Sequence, residues 1–106
     1  MHAGLLRHRV AIQEATAARG STGEVTRTWA TIARRWAAVQ PVRARELMAA
    51  NELRADVTHR VVLRYYSGLT NRHRFLFGSR ILEIVEVIDP LERHEQHECL
   101  CREALT

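Results

Sequence analysis

Alternation with a period of two recurs along this chain, and it limits the possible folds more than any other feature. Over residues 6–13, Leu6, His8, Val10 and Ile12 fall on one side of an extended backbone, and Arg7, Arg9, Ala11 and Gln13 on the other. Residues 57–66 repeat the pattern, with His59, Val61, Leu63 and Tyr65 opposing Arg60, Val62, Arg64 and Tyr66. Residues 80–88 carry it a third time: Ile81, Glu83, Val85 and Val87 face one way, Leu82, Ile84, Glu86 and Ile88 the other. Successive side chains of a strand point to opposite faces, so each stretch predicts a strand with a face to bury. Residues 74–77 predict a short strand ahead of a tight turn at Gly78-Ser79, and residues 95–103 a last one. The turn signals "SGLTN" and Asp89-Pro90 separate these runs. Short strands at short intervals with glycine turns predict a mainly β chain, folded as a small barrel or sandwich. The length of 106 residues suits one domain, 1–106.

The phrases "LRHRVAIQ" and "THRVVLRY" therefore read as two strands with one binary pattern. In each, a histidine begins the apolar face and arginines line the wet one. No fixed period links them, so this is not a repeat architecture.

Three segments lack a clean alternation. Residues 14–24, "EATAARGSTGE", are small and polar with two glycines and predict a loop or wide hairpin turn. "VTRTWATIARRWAAVQP" spaces Trp29, Ile32, Trp36 and Val39 as a helix would, yet its valine, threonine, isoleucine and tryptophan content favours a strand. On its residues alone it stays open between the two. Residues 41–56 contain "VRARELMAANELRAD", rich in helix formers, which reads as a short helix or a long mobile loop. The predicted core is Val10, Ile12, Trp36, Val39, Val61, Leu63, Ile84 and Val85.

The formal net charge is +4, and all 16 basic residues are arginine. Arginine's planar, weakly hydrated fork suits packed interfaces better than lysine does. Glutamates are interspersed among the arginines, whereas a polyanion-coating surface would show a cleaner basic stripe. No stretch approaches the roughly 20 apolar residues that span a bilayer, and the apolar patch in "MHAGLLRHRV" is too short for a signal peptide. Cys99 and Cys101 lie two apart on a strand, about 6.8 Å from each other. That is too far for an undistorted disulfide, and a fold without disulfides fits a reducing cytoplasm.

His94, His97, Cys99 and Cys101 cluster near the C-terminus, but a strand holds His97 and Cys101 about 13 Å apart, beyond the reach of one zinc ion. No metal site or cofactor is expected. The chain has no GxSxG, HExxH or P-loop pattern, so no catalytic residues are expected and the chain is not read as an enzyme. Arg60, Arg64 and Tyr66 share a predicted strand face, with Arg72 and Arg74 close behind. A small barrel with arginines and aromatics on one face can hold single-stranded nucleic acid, and that is the alternative function.

Taken together, "GLLRHRVAIQ", "TRTWATIARRWAAVQP", "THRVVLRYYSGL", "FLFGSRILEIVEVIDPLER" and the closing "ECLCRE" resemble the phage head–tail joining proteins, also called head-completion or stopper proteins. The matching pieces run in the family's order over nearly the whole chain. The resemblance implies a small β-barrel that forms a ring of six or twelve copies beneath the portal and its adaptor. That ring closes the DNA-filled capsid and docks the tail terminator or tail tube. Members also occur in gene transfer agents. The expected location is the virion neck, after synthesis in the bacterial cytoplasm, with double-stranded DNA in the channel contacted without sequence readout and no membrane involved.

The resemblance also implies that the tryptophan segment is strand, with a break near Ala33–Arg34. It makes residues 41–56 the long interaction loop between barrel strands. Arg43, Arg45, Glu46, Leu47, Met48, Glu52, Leu53 and Arg54 are then candidates to face a neighbouring subunit or the channel. Arg7, Arg9, Arg60, Arg64, Arg72 and Arg74 are candidates for interface or DNA-facing positions. With no large apolar patch predicted, the free protein is expected to be a monomer whose ring is templated by the connector.

Overall fold

The structure is a computed structural model that describes residues 6–42 and 56–104. These residues form six strands: β1 (His8–Arg19), β2 (Val25–Pro41), β3 (His59–Arg64), β4 (Arg74–Phe77), β5 (Arg80–Ile88) and β6 (Gln96–Ala104). One 3-10 turn, Pro90–Glu92, links β5 to β6. Every pairing is antiparallel. The order β1-β2-β3-β6-β5-β4 closes on itself into a barrel, because β4 pairs with β1 over residues 11–13. Closure removes the free edges that an open sheet of this size would carry. The mainly β expectation holds.

The alternating residues supply the barrel interior. Val10, Ile12, Ala37, Val61, Leu63, Phe75, Leu82, Ile84, Cys99 and Cys101 pack as one cluster, joined by Leu69 from the turn before β4. Burying each large aliphatic or aromatic side chain contributes about 1.5–3 kcal/mol, so this cluster carries most of the stabilisation. A smaller cluster lies elsewhere, where Val42, Val85 and Ile88 pack on Val57 and Leu100.

Two bulges decide which residues reach the interior. In β2 the register passes from Ile12↔Ala33 to Gln13↔Thr31, leaving Ile32 as the extra residue. In β5 it passes from Ile84↔Cys101 to Glu86↔Leu100, leaving Val85 extra. One extra residue turns every later side chain to the opposite face. Leu82 and Ile84 therefore join the main cluster, and so does Val87, while Val85 and Ile88 join the smaller one. A strict alternation could not place these side chains together.

Other expectations need correction. Residues 14–24 are not a loop. β1 runs on to Arg19, β2 begins at Val25, and only residues 20–24 turn, with the Gly20 N–H donating to the Glu24 carbonyl at 2.7 Å. Gly23, at φ 90°, takes the left-handed step of that turn. Trp36 is not core: it lies on the outer face of β2, 52% exposed. Its partner across the ladder is Arg9, and both point away from the cluster that takes Ala37. Val39 and Val85 are half-buried at the edges of the two clusters. His8 is exposed with its ring 4.9 Å from Phe77, while Ala11 and Gln13, expected on the wet face, are buried. Gln13 is satisfied there, donating to Thr31 and accepting from Arg74. The tryptophan segment is a strand, as the resemblance implied, and the expected break near Ala33–Arg34 is the bulge at Ile32 in a strand that stays continuous.

Candidate interaction surfaces

Beyond the bulge, the β1–β2 hairpin leaves the barrel. β4 covers β1 only at residues 11–13, and β3 covers β2 only from Ala37 to Pro41. Residues 14–19 and 25–31 remain paired with each other alone among the described residues, and nearly all of them are exposed. The result is a two-stranded arm on a barrel, which accounts for a long axis of 48 Å against 28 and 27 Å across.

A groove runs between the arm and the barrel wall. Arg27 and Trp29 line its arm side, Thr70, Arg72 and Arg74 its barrel side, and Glu83 and Arg102 its floor. Arg74 is the hinge of this surface. Its guanidinium lies 4.1 Å from the centre of the Trp29 ring, and its Nε donates to Gln13 Oε1 at 2.8 Å. A cation over a tryptophan face is attracted by the ring's quadrupole, so this contact ties the arm's base to the wall. Along the floor, Glu83 accepts from Arg102 at 3.1 Å, and Arg102 approaches Asp56 at 3.9 Å.

The arginine–aromatic theme recurs in two further contacts. Arg9 sits 5.4 Å from the Trp36 ring centre, and Arg35 is 5.2 Å from that of Tyr66. Exposed tryptophan and arginine side by side are the residue types most enriched at protein–protein hot spots.

Three histidines, His59, His73 and His97, are buried. His97 Nδ1 accepts the Tyr66 N–H at 3.2 Å, and His73 Nδ1 accepts the Thr70 N–H at 3.1 Å. An imidazole that accepts is neutral at that nitrogen. Burial lowers the pKa of His97, and Asp89 opposes the shift. Burial likewise lowers that of His59, whose neighbour Arg80 adds to the effect while Glu103 opposes it. Arg80 holds Glu103 through two bonds, at 2.8 and 3.0 Å, which lowers the carboxyl's pKa. The two thiols face the interior, where burial pushes Cys99 up to about 12 and Cys101 higher still. A thiol so shifted is a poor nucleophile and a poor ligand at neutral pH. No grouping of three or more histidine, cysteine, aspartate or glutamate side chains that could hold a metal occurs among the described residues.

The six arginines singled out from sequence do not form one stripe. Arg9 stands with Trp36, and Arg72 and Arg74 stand in the groove. Arg60 meets Glu98 at 2.8 Å, in a geometry that makes an ion pair but no hydrogen bond. Arg64 is exposed at the end of β3, and Arg7 is exposed just before β1. Tyr66 packs partly against the core rather than standing free beside Arg60 and Arg64. The interaction-loop residues Arg43, Arg45, Glu46, Leu47, Met48, Glu52, Leu53 and Arg54 lie outside the described residues. Sequence reasoning missed Arg27, Trp29 and Arg102, because the groove exists only once the arm folds beside the wall. The signal that could have found the arm was the β-branched run "VTRTWATI" opposite "EATAAR" across a glycine turn.

Comparison with known proteins fits this architecture. A family model described as phage head completion protein matches residues 1–104. The solution structure of protein SF1141 from Shigella flexneri 2a is similar at 30% identity, covering 98% of this chain and 97% of that one, with a TM-score of 0.77. A chain in the virion of a native gene transfer agent particle shares the fold at 21% identity, covering 95% of this chain and 97% of that one, with a TM-score of 0.68. No protein of curated function matches the chain.

Proposed function

Because the chain belongs to the phage head completion protein family, we propose that this structural protein of the head–tail neck works as a ring subunit beneath the portal and adaptor. The ring closes the filled head and offers its lower face to the tail terminator or tail tube. Its copy number is six or twelve by resemblance. Double-stranded DNA meets its lumen through phosphate contacts that carry no sequence information. Residues 43–54 face a neighbouring subunit or that channel.

The observation that carries this reading is the character of the barrel's outer surface. Three charge pairs cross its strands, Arg60–Glu98, Arg80–Glu103 and Arg102–Glu83. Exposed Trp36 and half-buried Trp29 each lie against an arginine. Such a surface suits several distinct protein contacts at once, which a ring subunit must make with its neighbours, the ring above and the assembly below. A single-strand binder would instead align unpaired arginines and free aromatic faces along one groove.

Sedimentation of the full chain with an isolated portal–adaptor complex tests the proposal. The complex should gain the mass of a full ring, while free oligonucleotides bind weakly. Steeply salt-dependent binding of single strands, with no gain of mass on the connector, would refute it.

A further inference from the structure

The arm has two open strand edges. On one side, residues 14–19 of β1 have no ladder partner beyond β2 among the described residues. On the other, β2 over residues 25–34 has no ladder partner beyond β1 among the described residues, because β3 begins its pairing at Ala37. An open edge presents a row of backbone donors and acceptors ready to pair, and an isolated two-stranded ribbon is marginal in water. Natural edges are commonly blunted by prolines, charges or bulges; this edge has Arg27, Arg34 and the bulge at Ile32 but no proline between Val25 and Arg34. It also presents Ile32, 42% exposed, near its base and Val25, 61% exposed, at its tip.

We propose that the arms of neighbouring copies pair edge to edge, residues 14–19 of one against residues 25–34 of the next, so that the arms join into a continuous antiparallel crown. This rests on the ring reading above. A ring needs a heterologous contact between two different surfaces of the same chain, and the two edges of the arm are two such surfaces. Chain direction agrees: β1 runs from base to tip and β2 from tip to base, so copies related by rotation place them antiparallel without reversing either arm. Charge agrees as well. The β1 edge carries Glu14 at its base and Arg19 at its tip, while the β2 side carries Arg34 at its base and Glu24 at the tip. Base against base and tip against tip thus bring opposite charges together.

The side chains also suit a curved crown. Thr16, Ala18, Thr26, Thr28 and Ala30 share one face with Glu14, and all but Glu14 are small. The other face holds Trp29, Arg27, Arg19 and Val25 along with Ala15 and Ala17. The concave side of a curled sheet leaves less room per side chain, which suits the face without the tryptophan and arginines.

Electron cryomicroscopy of the full chain assembled on the portal–adaptor complex tests this. The expected result is residues 14–19 of each copy about 4.8 Å from residues 25–34 of the next, the spacing of paired strands. A ring whose arms stand apart, or whose arm edges are filled by adaptor or tail protein, overturns the pairing and leaves the ring standing. Two-fold pairing of β2 with β2 overturns it equally, and the absence of any ring overturns both readings. A variant with residues 15–29 replaced by Asn-Gly supplies a second measure. It should keep the barrel's circular dichroism and lose the ring, and a shortened chain that still forms rings overturns the proposal.

Discussion

The same two strands build the barrel wall and the arm, and the two regions are held by different forces. Below the bulge, β1 and β2 bury Val10, Ile12 and Ala37 against four other strands. Above it they keep their mutual ladder but bury almost nothing, and Thr16, Ala17, Ala18, Thr26, Arg27 and Thr28 are all exposed. Backbone pairing is common to both regions, so it cannot explain a difference in stability. Apolar burial can, because the net value of a hydrogen bond exchanged with water is small beside that of a buried side chain. The barrel is therefore the folding unit, and the arm is an extension supported at its base, where Arg74 clasps Trp29, Gln13 donates to Thr31 and His73 approaches Glu14.

The sharpest way to break this comparison is to empty the core. Phe75→Ala removes a fully buried ring from the barrel centre and should cost about 3–5 kcal/mol, read as a lower urea midpoint. A small change there would mean that the barrel is not the stabilising unit. Acid should have the next largest effect. His59 and His97 have pKa values lowered from 6.5 in the folded chain, so unfolding takes up protons. Their contribution is complete above pH 6.5 and declines as pH falls through that value towards the folded pKa values. The midpoint should drop between about pH 7.5 and about pH 5, and His97→Gln should flatten the slope.

At the join, a double-mutant cycle between Trp29→Ala and Arg74→Ala should return a coupling of about 0.5–1 kcal/mol. A coupling of zero would detach the arm's base from the wall. On the arm itself, Thr28→Ala in the free protein should stay within about 0.5 kcal/mol of the parent. A larger loss would show that the arm is held by more than its own ladder.

Much of this was legible in the residues. β4 and β5 were predicted at the bounds they take, and β3 and β6 within a few residues, because strict alternation between turn signals leaves one extended reading. Val10, Ile12, Val61, Leu63 and Ile84 are buried as predicted. The tryptophan segment was opaque for a physical reason: the bulge at Ile32 interrupts its period of two, and the helix-like spacing of Trp29, Ile32, Trp36 and Val39 marks no common face, since Trp36 lies outside and Val39 packs on the core. Trp36 looked like core because it is large and apolar, but its place on β2 puts it beside Arg9 on the outer wall.

The mainly β class and most strand positions follow from the one-dimensional pattern, since periodicity and turn chemistry are local, and family membership followed from the resemblance of whole segments. The arm, the groove and the pairing of arginines with Trp29, Trp36 and Glu98 do not. They depend on register, and register is set by which strands meet. A single extra residue at Ile32 or Val85 turns all that follows to the other face, and only the closed barrel, by fixing which side chains fit inside, decides where that residue goes.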